Sequence, residues 1–108
     1  MREGKSMEER PAISRVILEC IERGLDSFGQ NVRLVLYWKM EQDLGLRRDD
    51  IPFKPELFAK SVEKMFGPGS RIVERVIARE IKRSSGVVMD DMVSAIMELK
   101  RMLEKKAI

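Results

Sequence analysis

The amino-acid sequence predicts an all-α fold, a compact bundle of about five helices, on three observations. Apolar residues recur three and four positions apart in successive segments, the spacing that places them on one face of a helix. Glycine or proline interrupts the chain between these segments. The 108 residues, of which 44% are apolar, suffice for the core of one domain, and no apolar run is long enough to span a membrane.

The first helix is predicted to begin at Pro11, because a residue in the first turn has no intrahelical use for its N–H group. Its apolar stripe consists of Ile13, Val16, Ile17, Cys20, Ile21, Gly24 and Phe28. Gly24 lies on that stripe, where a missing side chain lets another helix come close. Residues 1–10 lack apolar periodicity, so we expect a flexible tail ahead of a single domain that covers 11–108.

The segment 31–44 is apolar on nearly all sides. Its β-branched and aromatic residues would also suit a strand, but the pattern does not alternate, and it continues into good helix formers that end at Gly45. A helix that is apolar all round belongs inside a bundle. We therefore predict that this helix lies at the centre of the fold, with Tyr37 and Trp38 in the core.

A connector follows, in which Ile51 and Phe53 stand between charged residues. Because Pro52 disfavours helical geometry at the residue before it, the connector cannot continue the preceding helix. Apolar loop residues in such a setting usually anchor the loop, so we expect both side chains to insert into the core. Pro55 then suits the first position of the third helix.

The fourth predicted helix follows Gly67-Pro68-Gly69 and ends at Gly86. On a helical wheel, four of its cations fall within about 80° of one another. They are Arg71, Arg75, Arg79 and Lys82. Such a row could bind the phosphates of a nucleic acid. Since no aromatic residues lie between them to stack on bases, a solvated helix face is the favoured interpretation.

Glu80 falls inside the apolar sector of the same helix. A buried carboxylate is costly unless it is paired or protonated. The favoured interpretation is an ion pair with an arginine of another helix, Arg33, or a position at the rim of the core. The alternative is a carboxylate with a raised pKa in a small pocket, where it could do chemistry.

The last helix is predicted from about residue 88 to 106, with acidic residues at its start and lysines at its end, as the helix dipole favours. Its apolar stripe consists of Met89, Met92, Ile96, Leu99 and Leu103. The stripe either closes the domain's own core or pairs with its counterpart in a second chain. Because it is wide, and because eight methionines suit an adaptable interface, we favour a homodimer through this helix.

The composition narrows the classes of function. The chain has no histidine and one cysteine, so a Ser-His or Cys-His nucleophile and a zinc site of ordinary ligands cannot be built from it. We predict no catalytic residue, no cofactor site and no metal site. The single Cys20 cannot form an internal disulfide, which suits a reducing cytoplasm.

Several motifs together resemble a family of small archaeal helical domains, the Nitrosopumilus output domain type. The resemblance covers about residues 13–85 and rests on Tyr37-Trp38, Gly45 before Ile51-Pro52, Pro55-Glu56-x-Phe58, Phe66-Gly67-x-Gly69, and the acidic Glu74 and Glu80. It implies an all-α fold, an archaeal origin and a place at the output end of signalling proteins. It transfers no active site.

The function is predicted from the features that the sequence has and from those that it lacks. The sequence has ample apolar stripes, no catalytic constellation and no dedicated phosphate surface. It therefore predicts a small cytoplasmic module for protein–protein interaction or signalling output, which self-associates and is not an enzyme. A nucleic-acid-associated protein that uses the cation row is the second hypothesis, and an enzyme with carboxylate chemistry is the third.

Overall fold

The computed structural model describes the backbone of residues 2–107 and the side chains of 12–106. Five α-helices follow in order: α1 (Arg2–Asp26), α2 (Gln30–Leu44), α3 (Pro55–Phe66), α4 (Ser70–Ser85) and α5 (Met92–Ala107). Short 3-10 segments, Arg48–Phe53 and Gly67–Gly69, precede α3 and α4. Within the described backbone there is no strand, so the predicted all-α bundle is confirmed. The helix α1 begins at Arg2, so the prediction that it begins at Pro11 is wrong; the side chains of residues 1–11, which include the predicted tail 1–10, lie outside the described residues.

The centre of the bundle is α1. It contacts α2, α4, α5 and the 3-10 segment Arg48–Phe53. Its fully buried residues are Ile17, Leu18, Cys20, Ile21 and Leu25. These side chains cover a wide arc of the helix, which lets α1 pack against neighbours on several sides.

Gly24 brings α1 and α4 together. A Cβ atom at this glycine would lie 2.9 Å from Ile77 Cγ1 and 3.1 Å from Ile77 Cα. Because real Cβ atoms do not approach other atoms so closely, only glycine allows this crossing. The predicted close approach of another helix is confirmed.

The helix α2 lies at the edge of the bundle, packed mainly against α1 and α3. Only Leu36 and Met40 are buried along it, whereas Trp38 is largely exposed. The prediction that 31–44 forms the central helix is therefore wrong in position, although the helix itself exists. Its apolar residues on the outer side have no neighbouring element to cover them among the described residues.

The connector after α2 is anchored in the core through Ile51, as predicted, whereas Phe53 does not join the core cluster. Gly45 adopts the left-handed conformation at φ 64°, and its N–H donates to the carbonyl of Glu41 at 3.0 Å. Ile51 is fully buried. Phe53 is half-buried, with the ammonium of Lys100 5.3 Å from its ring centre.

The last helix starts later than the sequence predicted. The α4 helix ends at Ser85 with Gly86 as its C-cap, and residues 87–91 form a loop before Met92. The side chain of Asp91 accepts a hydrogen bond of 2.6 Å from the backbone N–H of Ser94, which caps α5. Met89 therefore stands in the loop and not on the stripe of α5.

Candidate interaction surfaces

The predicted dimer stripe of α5 lies mostly inside the domain. Met92, Ile96 and Leu99 are at most 1% exposed and belong to the core. Leu103 is half-buried against the core, and Met89 is exposed in the loop before the helix. The prediction that these five residues form an interface is therefore wrong, because the stripe closes the protein's own core. That was the other interpretation of the same pattern.

The predicted pair between Glu80 and Arg33 does not form. Glu80 lies at the rim of the core and pairs with Arg83, one turn further along α4, at 3.2 Å. Arg33 pairs with two carboxylates of α1, Glu22 at 3.3 Å and Asp26 at 3.4 Å. The predicted pairing is wrong because Arg33 faces α1 and not α4. The sequence does not reveal which helix lies beside Arg33.

A polar cluster around Glu22 joins α1, α2 and the connector. Tyr37 Oη donates to Glu22 Oε2 at 2.9 Å, and Arg48 Nε donates to the same oxygen at 2.7 Å. Arg33 Nη1 lies 3.3 Å from Glu22 Oε1. The side chain of Glu22 is only 14% exposed, so these contacts lie in a poorly hydrated place, where charged hydrogen bonds are strong. We call Glu22, Arg33, Tyr37 and Arg48 the Glu22 cluster.

Two pKa values show how the cluster is held. Burial alone would raise the pKa of Glu22, but hydrogen bonds from Arg48 and Tyr37 and the positive charges of Arg48 and Arg33 hold it below its ordinary value. Burial, and then the neighbouring Glu22 carboxylate, raise the pKa of the Tyr37 phenol, which therefore stays a proton donor. The cluster is a fixed structural contact that fastens one side of α2.

The opposite side of α2 presents large apolar side chains to solvent. The exposed fraction is 64% for Trp38, 57% for Leu34 and 45% for Val35. On a helical wheel they lie opposite the buried Leu36 and Met40. We call this surface the α2 face, which consists of Asn31, Leu34, Val35, Trp38 and Gln42.

The sequence did not predict this surface. It placed Trp38 in the core on the ground that a helix apolar on all sides is enclosed, and that prediction is wrong. The available signal was Arg33 and Tyr37, whose polar groups need partners and so mark the side that turns toward α1. When the polar groups of an otherwise apolar helix pack against the rest of the protein, the opposite, apolar side of the helix can face solvent.

The predicted cation row lies on the solvent side of α4. Arg71, Arg75, Arg79 and Lys82 are all exposed, and we call them the α4 row. They border a groove of about 460 Å³ between α4 and residues 87–92. The structure therefore brings the four predicted phosphate-binding residues together along one helix.

The other side of the groove is acidic and apolar. The loop exposes Val88 and Met89 and carries Asp90 and Asp91. Burial raises the pKa of Glu74 at the α4 side of the groove, and the carboxylates of Glu63 and Asp91 raise it further. The groove thus has positive and negative borders, and an anion would meet the α4 row most favourably on its outer side.

Among the described residues, no three His, Cys, Asp or Glu side chains are placed to hold a metal ion. The described helices also include none with the length and hydropathy of a membrane span. No protein-family model, curated protein or solved structure matches the chain. The resemblance to archaeal output domains stays a prediction.

Proposed function

We propose that this protein is a small interaction module that associates with a second copy of itself through the α2 face. The exposure of Trp38 at the centre of that face carries the proposal. Tryptophan is the residue type most enriched among side chains that dominate binding energy, and aromatic residues are concentrated in interface centres. Leu34 and Val35 extend the apolar surface on either side of it.

The charge pattern of the α2 face favours a second copy as the occupant. A two-fold dimer places the same patch against itself, so like charges within a patch repel each other. The polar residues of the α2 face, Asn31 and Gln42, are uncharged. Glu41 borders one edge of the face and Lys39 the other, so two parallel copies bring opposite charges together. The face is therefore compatible with its own image.

The side of α2 that packs against α1 supports the same proposal. The Glu22 cluster fastens α2 to α1 and to the connector through Arg33, Tyr37 and Arg48. A face on a helix that is already held in place loses little conformational freedom when it binds. The α2 face is thus presented in a fixed geometry.

A wider role follows from the same proposal. Association through a small helical module is how an output domain could pass a signal, and the resemblance to archaeal output domains supports that role. We place the protein in the cytoplasm, a location that its single cysteine suits.

Light scattering at micromolar concentration tests the proposal. We expect a dimer for the wild-type chain and a monomer for Trp38→Glu, since the variant places two carboxylates against each other at the centre of the interface. The matched control is Val88→Glu, an apolar residue that is 69% exposed in the loop after α4. This variant is expected to remain a dimer.

Both substitutions affect exposed side chains, so both variants are expected to fold, which circular dichroism checks. A monomeric wild-type chain contradicts the proposal. Dissociation of Val88→Glu, with Trp38→Glu still dimeric, shows that copies associate through another surface.

A further inference from the structure

The solvent side of α4 carries positive charges. The charge of Arg71 lowers the pKa of Glu74, but the two side chains are too far apart to form an ion pair. Among the described residues, no carboxylate forms an ion pair with any member of the α4 row. Arg33 and Arg48 differ, since both pair with Glu22. The two carboxylates of α4 itself, Glu74 and Glu80, are half-buried at the flanks of the helix. The outer side of α4 therefore carries cations and no anion.

We propose that the α4 row binds the sugar–phosphate backbone of a nucleic-acid duplex. Its members are three or four residues apart, so they rise by about 4.5–6 Å at each step and cover about 16.5 Å of the helix. A straight row of cations can meet a line of phosphates, and each contact releases counterions condensed on the nucleic acid. Such binding needs no enclosed pocket and does not depend on base sequence.

The composition of this side fits a nucleic acid better than an acidic protein. Protein interfaces have an apolar centre rich in aromatic residues, whereas interfaces with nucleic acids are polar and strongly positive. Ile72 is the one large hydrophobic side chain that α4, described in full, exposes beside the row. The helix has no aromatic residue to stack on an unpaired base, which favours a duplex over a single strand.

The acidic border of the groove determines the side from which a nucleic acid approaches the α4 row. Asp90 and Asp91 line the groove together with Arg71 and Arg75, and their negative charges repel phosphates. Asp91 also caps α5 through Ser94, so its replacement would disturb that helix. Asp90 precedes the cap and is exposed. Asp90→Asn therefore removes repulsion without touching the cap, and we expect it to bind a duplex a few-fold more tightly.

Fluorescence anisotropy with a labelled DNA duplex and a labelled RNA duplex of matching sequence, at a series of salt concentrations, tests the proposal. We expect the wild-type chain to bind both, because both offer the same phosphate chemistry, and the tighter complex identifies the physiological source. The double variant Arg75→Gln/Arg79→Gln should bind roughly tenfold more weakly at low salt. Its slope of log affinity against log salt concentration should be smaller by about two units.

The matched control is Lys60→Gln/Lys105→Gln, which removes two exposed positive charges from α3 and α5. Net charge falls equally, so an effect that depends on total charge would appear in both double variants. The control is expected to keep the wild-type slope. All of these side chains are exposed, so every variant should fold, which circular dichroism verifies.

Four results would overturn the proposal. The first is no binding of the wild-type chain to either duplex at low salt, and the second is an equal loss of affinity in the control. The third is tighter binding to labelled polyglutamate than to both duplexes, which would assign the α4 row to an acidic protein partner. The fourth is a preference for a single strand of the same sequence over the duplex.

Discussion

The helices α2 and α4 are nearly equal in length, 15 and 16 residues, but they meet the rest of the protein in different ways. In α4 the apolar residues form a stripe, and Val73, Ile77 and Ile81 of that stripe are buried. The apolar residues of α2 surround the helix, so burying one side leaves Trp38 and its neighbours in solvent. Apolar content alone does not place a helix at the centre of a fold, whereas the direction of its apolar side does.

The two helices also differ in how they are attached to α1. The contact of α4 is apolar and very close, since Ile77 sits directly on Gly24. The contact of α2 includes Glu22, which accepts a hydrogen bond from Tyr37 and forms an ion pair with Arg33. We therefore expect the contact of α4 with α1 to be weakened mainly by substitutions that change packing. The contact of α2 with α1 should be weakened mainly by changes of charge and of pH.

The largest expected effect is a difference in stability between a substitution on the buried side of α4 and a substitution on the α2 face. Ile77→Ala should lower the free energy of unfolding by about 2–5 kcal/mol, because it leaves a cavity at a fully buried position. Trp38→Ala removes a larger side chain and should change it by less than about 0.5 kcal/mol, because that side chain is mostly in solvent. Urea unfolding measures both.

Both unfolding measurements are made at high dilution. A dimer is then dissociated, so association does not add to the measured free energy of unfolding. If Trp38→Ala then costs as much as Ile77→Ala, the side chain of Trp38 is packed in the monomer and the contrast between the two helices is lost.

A smaller effect tests the close contact of α4 with α1. The new methyl group of Gly24→Ala would meet both the side chain and the backbone of Ile77. Overpacking of this kind costs about 1–3 kcal/mol, and the better helix propensity of alanine offsets up to about 1 kcal/mol. Thermal or urea unfolding should therefore show a net loss of stability.

The control for this variant is Gly69→Ala. A Cβ atom at Gly69 would meet nothing within 4 Å, and the φ of −79° suits alanine. It should leave stability unchanged or raise it by about 0.4–1 kcal/mol. Equal behaviour of the two glycine variants would show that α1 and α4 can move apart at no cost.

The attachment of α2 should depend on pH. Since the pKa of Glu22 in the folded protein lies below its ordinary value of 4.5, its stabilisation is present above that value and is lost as the pH falls through the folded-state pKa. Glu22→Gln should therefore lower the free energy of unfolding by about 1–3 kcal/mol at neutral pH. The difference from the wild-type chain should shrink as the pH falls below 4.5.

A suitable control is Glu98→Gln, because Glu98 pairs with Arg101 on the surface of α5 and should contribute much less. A difference between Glu22→Gln and the wild-type chain that stays constant from neutral to acid pH would show that the charge of Glu22 does not hold α2 in place.

Much of the fold could be predicted from local chemistry. Gly45 and Gly86 end α2 and α4 in the left-handed conformation as expected, and Pro55 opens α3. The outer side of α4 was also predicted correctly, because its apolar stripe leaves one direction for the α4 row. Each of these features depends on residues close together in the chain.

The features that were missed depend on distant parts of the chain. The pattern of Met92, Ile96 and Leu99 gave the correct stripe, but nothing in α5 reveals whether a stripe meets its own core or a second chain. The partner of Arg33 is set by which helix lies beside α2. The exposure of Trp38 likewise depends on how many helices cover α2, and a helix that is apolar all round does not determine that number.

Tryptophan fluorescence tests the central claim most directly, because the chain has a single tryptophan and the emission therefore reports on Trp38 alone. We predict the long-wavelength emission of an exposed indole at high dilution. As the protein concentration rises, the emission should shift to shorter wavelength in step with the doubling of mass seen by light scattering. Emission that stays unchanged while the mass doubles, or that is already at short wavelength in the dilute monomer, would contradict the account.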